Sequence, residues 1–325
     1  MTDPAIKSDF AARESEWAVI LAGGDGSRLK SLTRKIEGDE RPKQFCRILG
    51  GETLLGQTRS RAGLEISRQR TLFVLNRSHE PFYAPLLLAE PAANLLAQPC
   101  NRGTAPAILY SLLKIACRNS KAIVAFFPSD HYISNNKEFM AQIRLALDFA
   151  RERRDLVILL GIQPENPEIE YGWIEPAAAI STKGDAAVFG VRRFWEKPNH
   201  MLAKLLQLRG CLWNSFVMVS SVEALLKIIK SALPELFRAF ATLSLHLDTR
   251  TEVKAVNSFY ERIGEINFSH QVLALRPERL AVAPVKGVRW NDLGEPKRVM
   301  ASLSMEGFRP QWADPNFPQP TQPAF

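Results

Sequence analysis

The chain has 325 residues, of which 46% are hydrophobic and 23% are charged, and this balance excludes an intrinsically disordered protein. Its 42 Lys and Arg residues outnumber its 34 Asp and Glu residues, and the resulting net charge of +8 favours anionic partners. The four cysteines are too far apart for a Cys-x-x-Cys pair, which excludes a zinc cluster of that type and a thioredoxin-like redox pair.

Apolar runs alternate with amphipathic segments through the first half of the chain. We predict short buried strands at 17–22, 70–75, 122–127 and 156–160, and helices at 104–117 and 139–151. Continuous apolar strands separated by helices are typical of a sheet that is covered on both faces. The pattern predicts an α/β fold with three layers, Rossmann-like, in which helices flank a mixed, mostly parallel sheet. Such sheets bind ligands beyond the carboxyl ends of their strands.

The second half of the chain is less regular. We predict strands at 171–175, 188–194 and 216–219, and helices at 200–209, 222–231 and 252–260. These elements predict a smaller α+β region that inserts into or flanks the sheet and forms one wall of a cleft. Five prolines within the last twenty residues disfavour a helix or a central strand there. We therefore expect a flexible extension at 1–16, one folded domain at 17–305 and a Pro-rich tail at 306–325.

A glycine-rich loop follows the first predicted strand. Gly23, Gly24 and Gly26 allow backbone N–H groups to turn toward an anion, and Arg28 is placed to close on it. The loop lacks the Gly-Lys-Ser/Thr of a Walker A motif, and Leu29 stands where a dinucleotide fingerprint has its third glycine. A plain strand-to-helix turn is the structural alternative, but the neighbouring cations favour a phosphate site.

Eight motifs, in order, resemble those of the sugar-1-phosphate nucleotidyltransferases, and most closely the mannose-1-phosphate guanylyltransferases. They lie at 21–29, 41–45, 101–108, 128–131, 171–175, 194–198, 212–215 and 290–294. The resemblance implies a fold of the nucleotide-diphospho-sugar transferase type, with 17–305 as the catalytic domain and the α+β region on the sugar side. It also implies that GMP passes from GTP to mannose-1-phosphate, which gives GDP-mannose and pyrophosphate.

The resemblance also implies roles for individual residues. Catalytic roles fall to Arg28, Lys43, Asp130 and Lys197, and Mg²⁺ binding falls to Asp130 and Asp292. Nucleotide contacts fall to Leu21, Ala22, Gly23, Gly24, Gly26, Asn101, Gly103, Thr104 and Ala105. Sugar-phosphate contacts fall to Tyr171, Gly172, Glu196, Lys197 and Asn214. Two carboxylates suit Mg²⁺, because substrate phosphates commonly complete its ligand set.

Each assignment has a structural alternative. Lys43 alone reads as a solvated loop lysine, Asp130 as a helix cap or turn residue, and Thr104 as an N-cap. Glu196 and Lys197 alone are typical of an exposed hairpin pair. The order of the motifs favours the functional interpretation. His131 is expected to pack or to support its neighbours, because an attacking phosphate is already ionised and needs no base.

Four departures from the family pattern concern mainly the sugar side. Ser31 replaces a proline, and Phe216 replaces a glycine. Ile169 and Glu170 stand where Thr-Gly is usual, which adds a carboxylate, and segment 268–275 lacks its usual acidic residues. Because Phe216 lies close to Asn214, its ring is expected to reshape the sugar pocket. The triphosphate and metal half matches the family, so the departures leave the identity of the sugar open.

Alternative functions follow from the same residues. One is a related nucleotidyltransferase with another sugar or nucleotide, and the other is a non-catalytic homologue that binds a nucleotide sugar as a regulator. The combined presence of the five predicted catalytic and metal residues disfavours the regulator. The chain lacks the RNP motif, zinc fingers and basic-aromatic stripe of nucleic-acid-binding proteins.

The sequence also predicts where in the cell the protein is found. Residues 1–16 contain no apolar stretch, and the strongest apolar runs are too short to span a bilayer. We therefore expect no membrane partner, and the scattered cysteines, interpreted as reduced thiols, lead us to expect a cytoplasmic protein. The pattern is compatible with a homo-oligomer, whose size it does not predict.

Overall fold

The computed structural model describes residues 13–183 and 186–314, and these contain eleven β-strands and ten α-helices. The strands are β1 (Glu16–Leu21), β2 (Thr71–Asn76), β3 (Leu95–Gln98), β4 (Ile123–Pro128), β5 (Tyr132–Ile133), β6 (Val157–Ile162), β7 (Gly172–Lys183), β8 (Ala186–Glu196), β9 (Leu212–Ser221), β10 (Leu280–Val285) and β11 (Trp290–Asn291). The helices are α1 (Lys30–Glu37), α2 (Leu54–Ala62), α3 (Glu80–Leu87), α4 (Thr104–Arg118), α5 (Asn136–Glu152), α6 (His200–Leu208), α7 (Val222–Ala232), α8 (Pro234–Ser244), α9 (Glu252–Tyr260) and α10 (Pro296–Met305).

Nine of the strands form one sheet in the order β3-β2-β1-β4-β9-β6-β10-β8-β7. Strands β3, β2, β1 and β4 are parallel, and β6 is parallel to β10. Strand β9 runs antiparallel to both of its neighbours, β4 and β6. At the far edge β8 and β7 pair antiparallel, and β7 returns to pair with β9. The mixed, mostly parallel sheet predicted from the sequence is therefore confirmed.

Two hydrophobic clusters cover the two faces of this sheet. Successive residues of β1 point to opposite faces, so Trp17 and Val19 join one cluster, whereas Ala18 and Ile20 join the other. The first cluster includes core residues of α4, α7, α8 and α9, and the second includes those of α2, α5 and α6. Burial on both faces explains why the central strands show no alternation of polar and apolar residues. Within the described ranges, no helix combines the length and apolarity that would be needed to cross a bilayer.

The second half of the chain differs from its prediction. Residues 216–219 were expected in a flanking region, but they belong to β9, which lies between β4 and β6 in the middle of the sheet. The local pattern could not show this, because the position of a strand depends on partners that are distant in the chain. Strands β7 and β8, which were predicted to belong to the region that flanks the sheet, do form one edge of it.

The predicted ends take part in the fold as far as they are described. Glu16, the last residue of the predicted extension, is buried in β1. Trp312, within the predicted tail, is buried in a third hydrophobic cluster, and its Nε1 donates to the carbonyl of Ile48 at 2.9 Å. Residues 1–12 and 315–325 of the two predicted ends lie outside the described residues.

Candidate active site

The glycine-rich loop leaves β1 at the edge of the sheet where β1, β2 and β4 end. Gly26 has a φ of +59°, which residues with a side chain rarely adopt, and it begins a short 3₁₀ turn. A Cβ atom at Gly26 would lie 3.0 Å from the backbone nitrogen of Lys43. Gln44 Nε2 donates to the carbonyls of Ala22 at 3.1 Å and Gly24 at 2.7 Å. Gln44 thus fixes the loop, a role that its motif alone did not reveal.

Helix α4 begins opposite this loop, at Gly103. Gly103 is the N-cap residue with a φ of +79°, and a Cβ atom there would lie 2.5 Å from the carbonyl oxygen of Ile266. The same carbonyl accepts from the backbone of Ala105 at 3.1 Å. Thr104 is the first helical residue, and its hydroxyl accepts from the backbone nitrogen of Phe268 at 2.9 Å. The alternative in which Thr104 caps the helix is therefore wrong.

Asn101 connects the glycine loop to the start of α4. Its Nδ2 donates to Asp25 Oδ2 at 2.9 Å, and its Oδ1 accepts from the backbone nitrogen of Gly103 at 2.9 Å. The other oxygen of Asp25 lies 3.3 Å from Nε2 of His79, which is in the 3₁₀ turn after β2. Asn101, which was predicted to contact the nucleotide, therefore links the two walls of the site, the glycine loop and the start of α4.

A cavity of about 340 Å³ lies between the glycine loop and α4. Its lining includes seven of the predicted residues: Leu21, Gly23, Gly24, Asn101, Gly103, Thr104 and Asp130. It also includes residues that were not predicted to bind nucleotide: Val74, Gln98, Ala107, Pro128, His131, Phe216, Glu265 and Asn267. Ala22 and Ala105 are buried beneath this surface, and Gly26 forms the turn beside it.

Lys43 reaches the mouth of this cavity from beneath the glycine loop. Its Nζ lies 3.2 Å from Asp130 Oδ2 and donates to the carbonyls of Asp292 at 2.5 Å and Leu293 at 3.2 Å. The side chain is buried, so the solvated-lysine alternative is wrong. Asp130 does not cap a helix, because Asn135 caps α5. Lys43 thus contacts the carboxylate of Asp130 and the backbone of Asp292 where β4 ends.

His131 lies beside Asp130 and is held by Trp290. Trp290 Nε1 donates to His131 Nδ1 at 3.3 Å, and His131 Nε2 lies 3.6 Å from Asp130 Oδ1. Burial lowers the pKa of His131, although the charge of Asp130 opposes this effect. The neutral ring therefore accepts a hydrogen bond at Nδ1 and turns its Nε2–H toward Asp130.

Asp292 is held by three donors. Its Oδ1 accepts from the hydroxyl of Tyr171 at 3.1 Å, the backbone nitrogen of Gly294 at 2.9 Å and Nη1 of Arg298 at 2.9 Å. Burial would raise the pKa of Asp292, but Lys43 and the other nearby cations hold it below its usual value. Burial and the charge of Asp292 raise the pKa of Tyr171, so the phenol keeps its proton and donates.

The two predicted metal ligands, Asp130 and Asp292, supply carboxylate oxygens, which are the donors that Mg²⁺ prefers. Among the described residues, no three His, Cys, Asp or Glu side chains converge on a cation site. Asp130 lines the cavity, and Asp292, whose Oδ1 is saturated by three donors, leaves Oδ2 for a metal. One oxygen from each carboxylate suits Mg²⁺ when substrate phosphates and water supply the remaining ligands.

The predicted sugar-side residues lie at neighbouring ends of β7, β8 and β9. Gly172 pairs with Glu196, and a Cβ atom at Gly172 would lie 3.1 Å from Glu196 Oε2. Burial raises the pKa of Glu196, although Lys197 opposes this effect. Lys197 has a φ of +45°, and its Nζ lies 3.7 Å from Glu170 Oε2. Asn214 Oδ1 accepts from the backbone nitrogen of Phe216 at 3.1 Å.

Phe216 is placed differently from its prediction. It lies at an irregularity in the pairing of β9 with β6 and has a φ of +59°. Its ring was expected to reshape the sugar pocket, but it lines the cavity with Gly23, Gly24 and Thr104. The backbone turn at Phe216 accounts for the difference, because the bulge re-aims this side chain.

Two other departures have structural explanations. Ser31 lies in the first turn of α1, where proline and serine are both tolerated. Residues 269–273 form a π-helical turn, and Phe268, Val272 and Leu273 are buried. In place of the usual acidic residues, this segment contributes to the core beside α4.

Known proteins are similar to this chain over most of its length. Residues 17–304 match the family model described as nucleotidyl transferase. A mannose-1-phosphate guanylyltransferase of Escherichia coli is 28% identical over 283 residues, which cover 85% of this chain and 59% of that protein. The alginate biosynthesis protein AlgA of Pseudomonas syringae pv. tomato is 30% identical over 282 residues, which cover 85% and 56%. The chain thus spans somewhat more than half the length of these relatives.

Solved structures share the fold. A mannose-1-phosphate geranyltransferase from Thermus thermophilus is 26% identical with a TM-score of 0.74, covering 86% of this chain and 76% of that one. A UDP-glucose pyrophosphorylase complexed with UDP-glucose is 14% identical with a TM-score of 0.54, covering 90% and 99%. The predicted nucleotide-diphospho-sugar transferase fold is confirmed. Since the family model covers nearly all of the described residues, this chain belongs to the nucleotidyl transferase family.

Proposed function

We propose that this protein transfers GMP from GTP to mannose-1-phosphate and releases pyrophosphate. The observation that best supports this proposal is the meeting of the glycine loop, Lys43 and Asp130 at one cavity. Relatives that carry the name mannose-1-phosphate guanylyltransferase support the choice of substrates. We further propose that the reaction takes place in the cytoplasm.

Binding of the triphosphate would use the backbone and two cations. The glycine loop offers N–H groups without side chains to block the approach of phosphate oxygens. Lys43, fixed by two carbonyls and Asp130, supplies a point charge in a defined position, whereas Arg28 supplies a planar fork. The cavity between this loop and α4 has room for the nucleoside part.

The chemical step requires that the reacting phosphates be positioned and that their negative charge be neutralised, and it depends less on proton transfer. A phosphate oxygen of the sugar phosphate is already ionised when it attacks the α-phosphorus, so no side chain has to act as a base. Asp130 and Asp292 would hold Mg²⁺, which neutralises charge on the phosphates when it is bound. Neutral His131 supports Asp130, and Tyr171 with Arg298 fixes the carboxylate of Asp292. These contacts keep the acidic residues in place before substrate arrives.

A matrix of substrates tests the proposal. Each common nucleoside triphosphate is combined with several sugar-1-phosphates, with and without Mg²⁺, and pyrophosphate release is measured. We expect the highest kcat/KM with GTP, mannose-1-phosphate and Mg²⁺ together. A different preferred pair would identify a related transferase, and binding without turnover in every combination would identify a regulatory homologue.

The Asp130→Asn variant tests the site assignment. It keeps the size of the side chain but removes the charge beside Lys43, and we expect kcat to fall about 100-fold or more. Asp155→Asn is a matched control, because Asp155 forms an exposed ion pair with Arg153 elsewhere on the surface. Thermal unfolding of both variants verifies that they fold. A rate retained in Asp130→Asn would contradict the assignment.

A further inference from the structure

Glu170 joins two of the cations that are expected to hold phosphate. Its Oε2 lies 3.4 Å from Arg28 Nη1 and 3.7 Å from Lys197 Nζ. Arg28 belongs to the turn after the glycine loop, and Lys197 follows β8. Within the described part of the chain, Glu170 is the only acidic side chain in ion-pair distance of either cation. Glu170 therefore connects the nucleotide side of the site to the sugar side.

The loop that carries Glu170 is fixed by its neighbour Glu168. One carboxylate oxygen of Glu168 accepts from the backbone nitrogens of Ile169 at 2.9 Å and Glu170 at 3.1 Å. The other lies 3.1 Å from Nη2 of Arg298, the residue that also holds Asp292. Because Glu168 determines the shape of the loop, Glu170 is not needed for that purpose.

We infer that Glu170 is an internal anion that a substrate phosphate must displace from Arg28 and Lys197. This inference rests on the proposed function, in which these two cations bind phosphate. A phosphate monoester carries a charge of about −1.5 to −2 near neutral pH and offers three acceptor oxygens, whereas the carboxylate carries −1. Glu170 thus sets a threshold for binding: it lowers the affinity of the two cations for every anion, and dianionic phosphates, which attract them more strongly than a single carboxylate does, bind in spite of it.

The exposure of the three side chains agrees with displacement. The side chains of Arg28, Lys197 and Glu170 are 58%, 56% and 43% exposed. Ion pairs in such surroundings contribute little to stability, so they can open when a stronger ligand arrives. A carboxylate buried between two cations would not exchange in this way, because removing it would leave uncompensated buried charges.

Calorimetric titration at low ionic strength tests this inference. Inorganic phosphate and mannose-1-phosphate are titrated separately into the wild-type protein and into Glu170→Gln, which keeps the shape but removes the charge. We expect Glu170→Gln to bind both ligands about fivefold more tightly, and the difference to shrink as salt is added. Glu170→Asp, whose shorter side chain is drawn back from both cations, is expected to give an intermediate affinity.

Glu40→Gln is the matched control. Glu40 also bridges two cations, Lys30 and Arg34, and its side chain is 41% exposed, but neither of these cations is assigned to phosphate binding in the proposed function. We expect its affinities to equal those of the wild type. Unchanged or weaker phosphate binding in folded Glu170→Gln and Glu170→Asp would overturn the inference. Absence of turnover in the wild type would refute the proposed function alone, because inorganic phosphate still reports on displacement.

Discussion

Phe216 combines a strained backbone with a side chain in the cavity. Of the four residues other than glycine that have a positive φ in the described ranges, Lys197, Phe216 and Leu293 lie at the site, and only Asp248 lies elsewhere. Backbone strain of this kind costs about 1–3 kcal/mol and is concentrated at functional sites. The hydrogen bond that Asn214 accepts from the backbone of Phe216 holds the strained turn. The strained backbone at Phe216 is therefore found together with a ring that lines the cavity between the glycine loop and α4.

Two substitutions at Phe216 distinguish the effect of the aromatic ring from the effect of the strained backbone. Phe216→Gly removes both, whereas Phe216→Ala removes the ring and keeps the strained backbone. We expect both to raise the KM for GTP at least about fivefold through lost apolar contact, and to change the KM for mannose-1-phosphate less. Steady-state pyrophosphate release measures both constants.

Stability distinguishes the two Phe216 variants. Chemical denaturation should show the glycine variant to be more stable than the alanine variant by about 1 kcal/mol, because glycine adopts a positive φ without a Cβ clash. A KM for GTP that neither substitution changes would contradict the placement of the ring.

The positions of site residues could be predicted where they depend on local geometry. The glycine loop and Asp130 follow strands that end at one edge of the sheet, so the order of strands and loops in the sequence was enough to place them together. The contacts of Glu170 with Arg28 and of Arg298 with Glu168 join residues more than 100 positions apart. Such contacts depend on the tertiary arrangement, and no local pattern reveals them.

At the scale of elements, an ion-pair network joins β1 to α5. The carboxylate of Glu16 is 1% exposed and accepts from Arg144 at 2.6 and 2.9 Å, and also from Arg151. Glu16 therefore links α5 to β1, the strand that leads into the glycine loop.

Glu16→Gln tests this network. The substitution leaves two largely buried guanidinium groups without their shared charge, and we expect the free energy of unfolding to fall by about 3 kcal/mol in urea denaturation. Glu223→Gln is the control, because Glu223 forms an exposed pair with Lys227, and its change should stay within about 0.5 kcal/mol. A loss below about 1 kcal/mol in Glu16→Gln would show that the network contributes little.

The strands differed in how clearly the sequence predicted them. Strands β1, β2, β4 and β6 are continuous apolar runs, and their predicted bounds lie within two residues of those in the structure. Strand β3 has only four residues, and β10 contains three small or ring-constrained residues, including Pro284, so neither resembles a typical strand. The clearest signals therefore came from strands that are buried on both faces.

At the scale of the whole molecule, the third hydrophobic cluster links the end of the described chain to the site. It contains Trp312, Leu29 and Leu293. Leu29 ends the turn that carries Arg28, and Leu293 follows Asp292. Packing in this cluster therefore supports the segments that carry Arg28 and Asp292.

Trp312→Ala tests this support. Removal of a buried indole is expected to cost about 3–5 kcal/mol in chemical denaturation, and a loosened Leu29 should raise the KM for GTP. Trp312→Phe keeps much of the apolar contact and serves as the control, with a smaller loss of stability and an unchanged KM. If Trp312→Ala remained as stable as the wild type, the cluster would not contribute as described.

The central position of β9 affects how the protein is made on the ribosome. Strands β4 and β6 each pair with β9 and not with one another, so in a growing chain that ends before residue 212 the two edges that β9 will occupy are both open. About 50 residues separate the end of β6 from the start of β9, and their synthesis takes roughly 3–10 s at typical rates of translation. During that interval the nascent chain exposes edges that can pair with other chains. Emergence of residues 212–221 supplies the partner of both of these edges, whereas the other edge of β6 stays open until β10 is made.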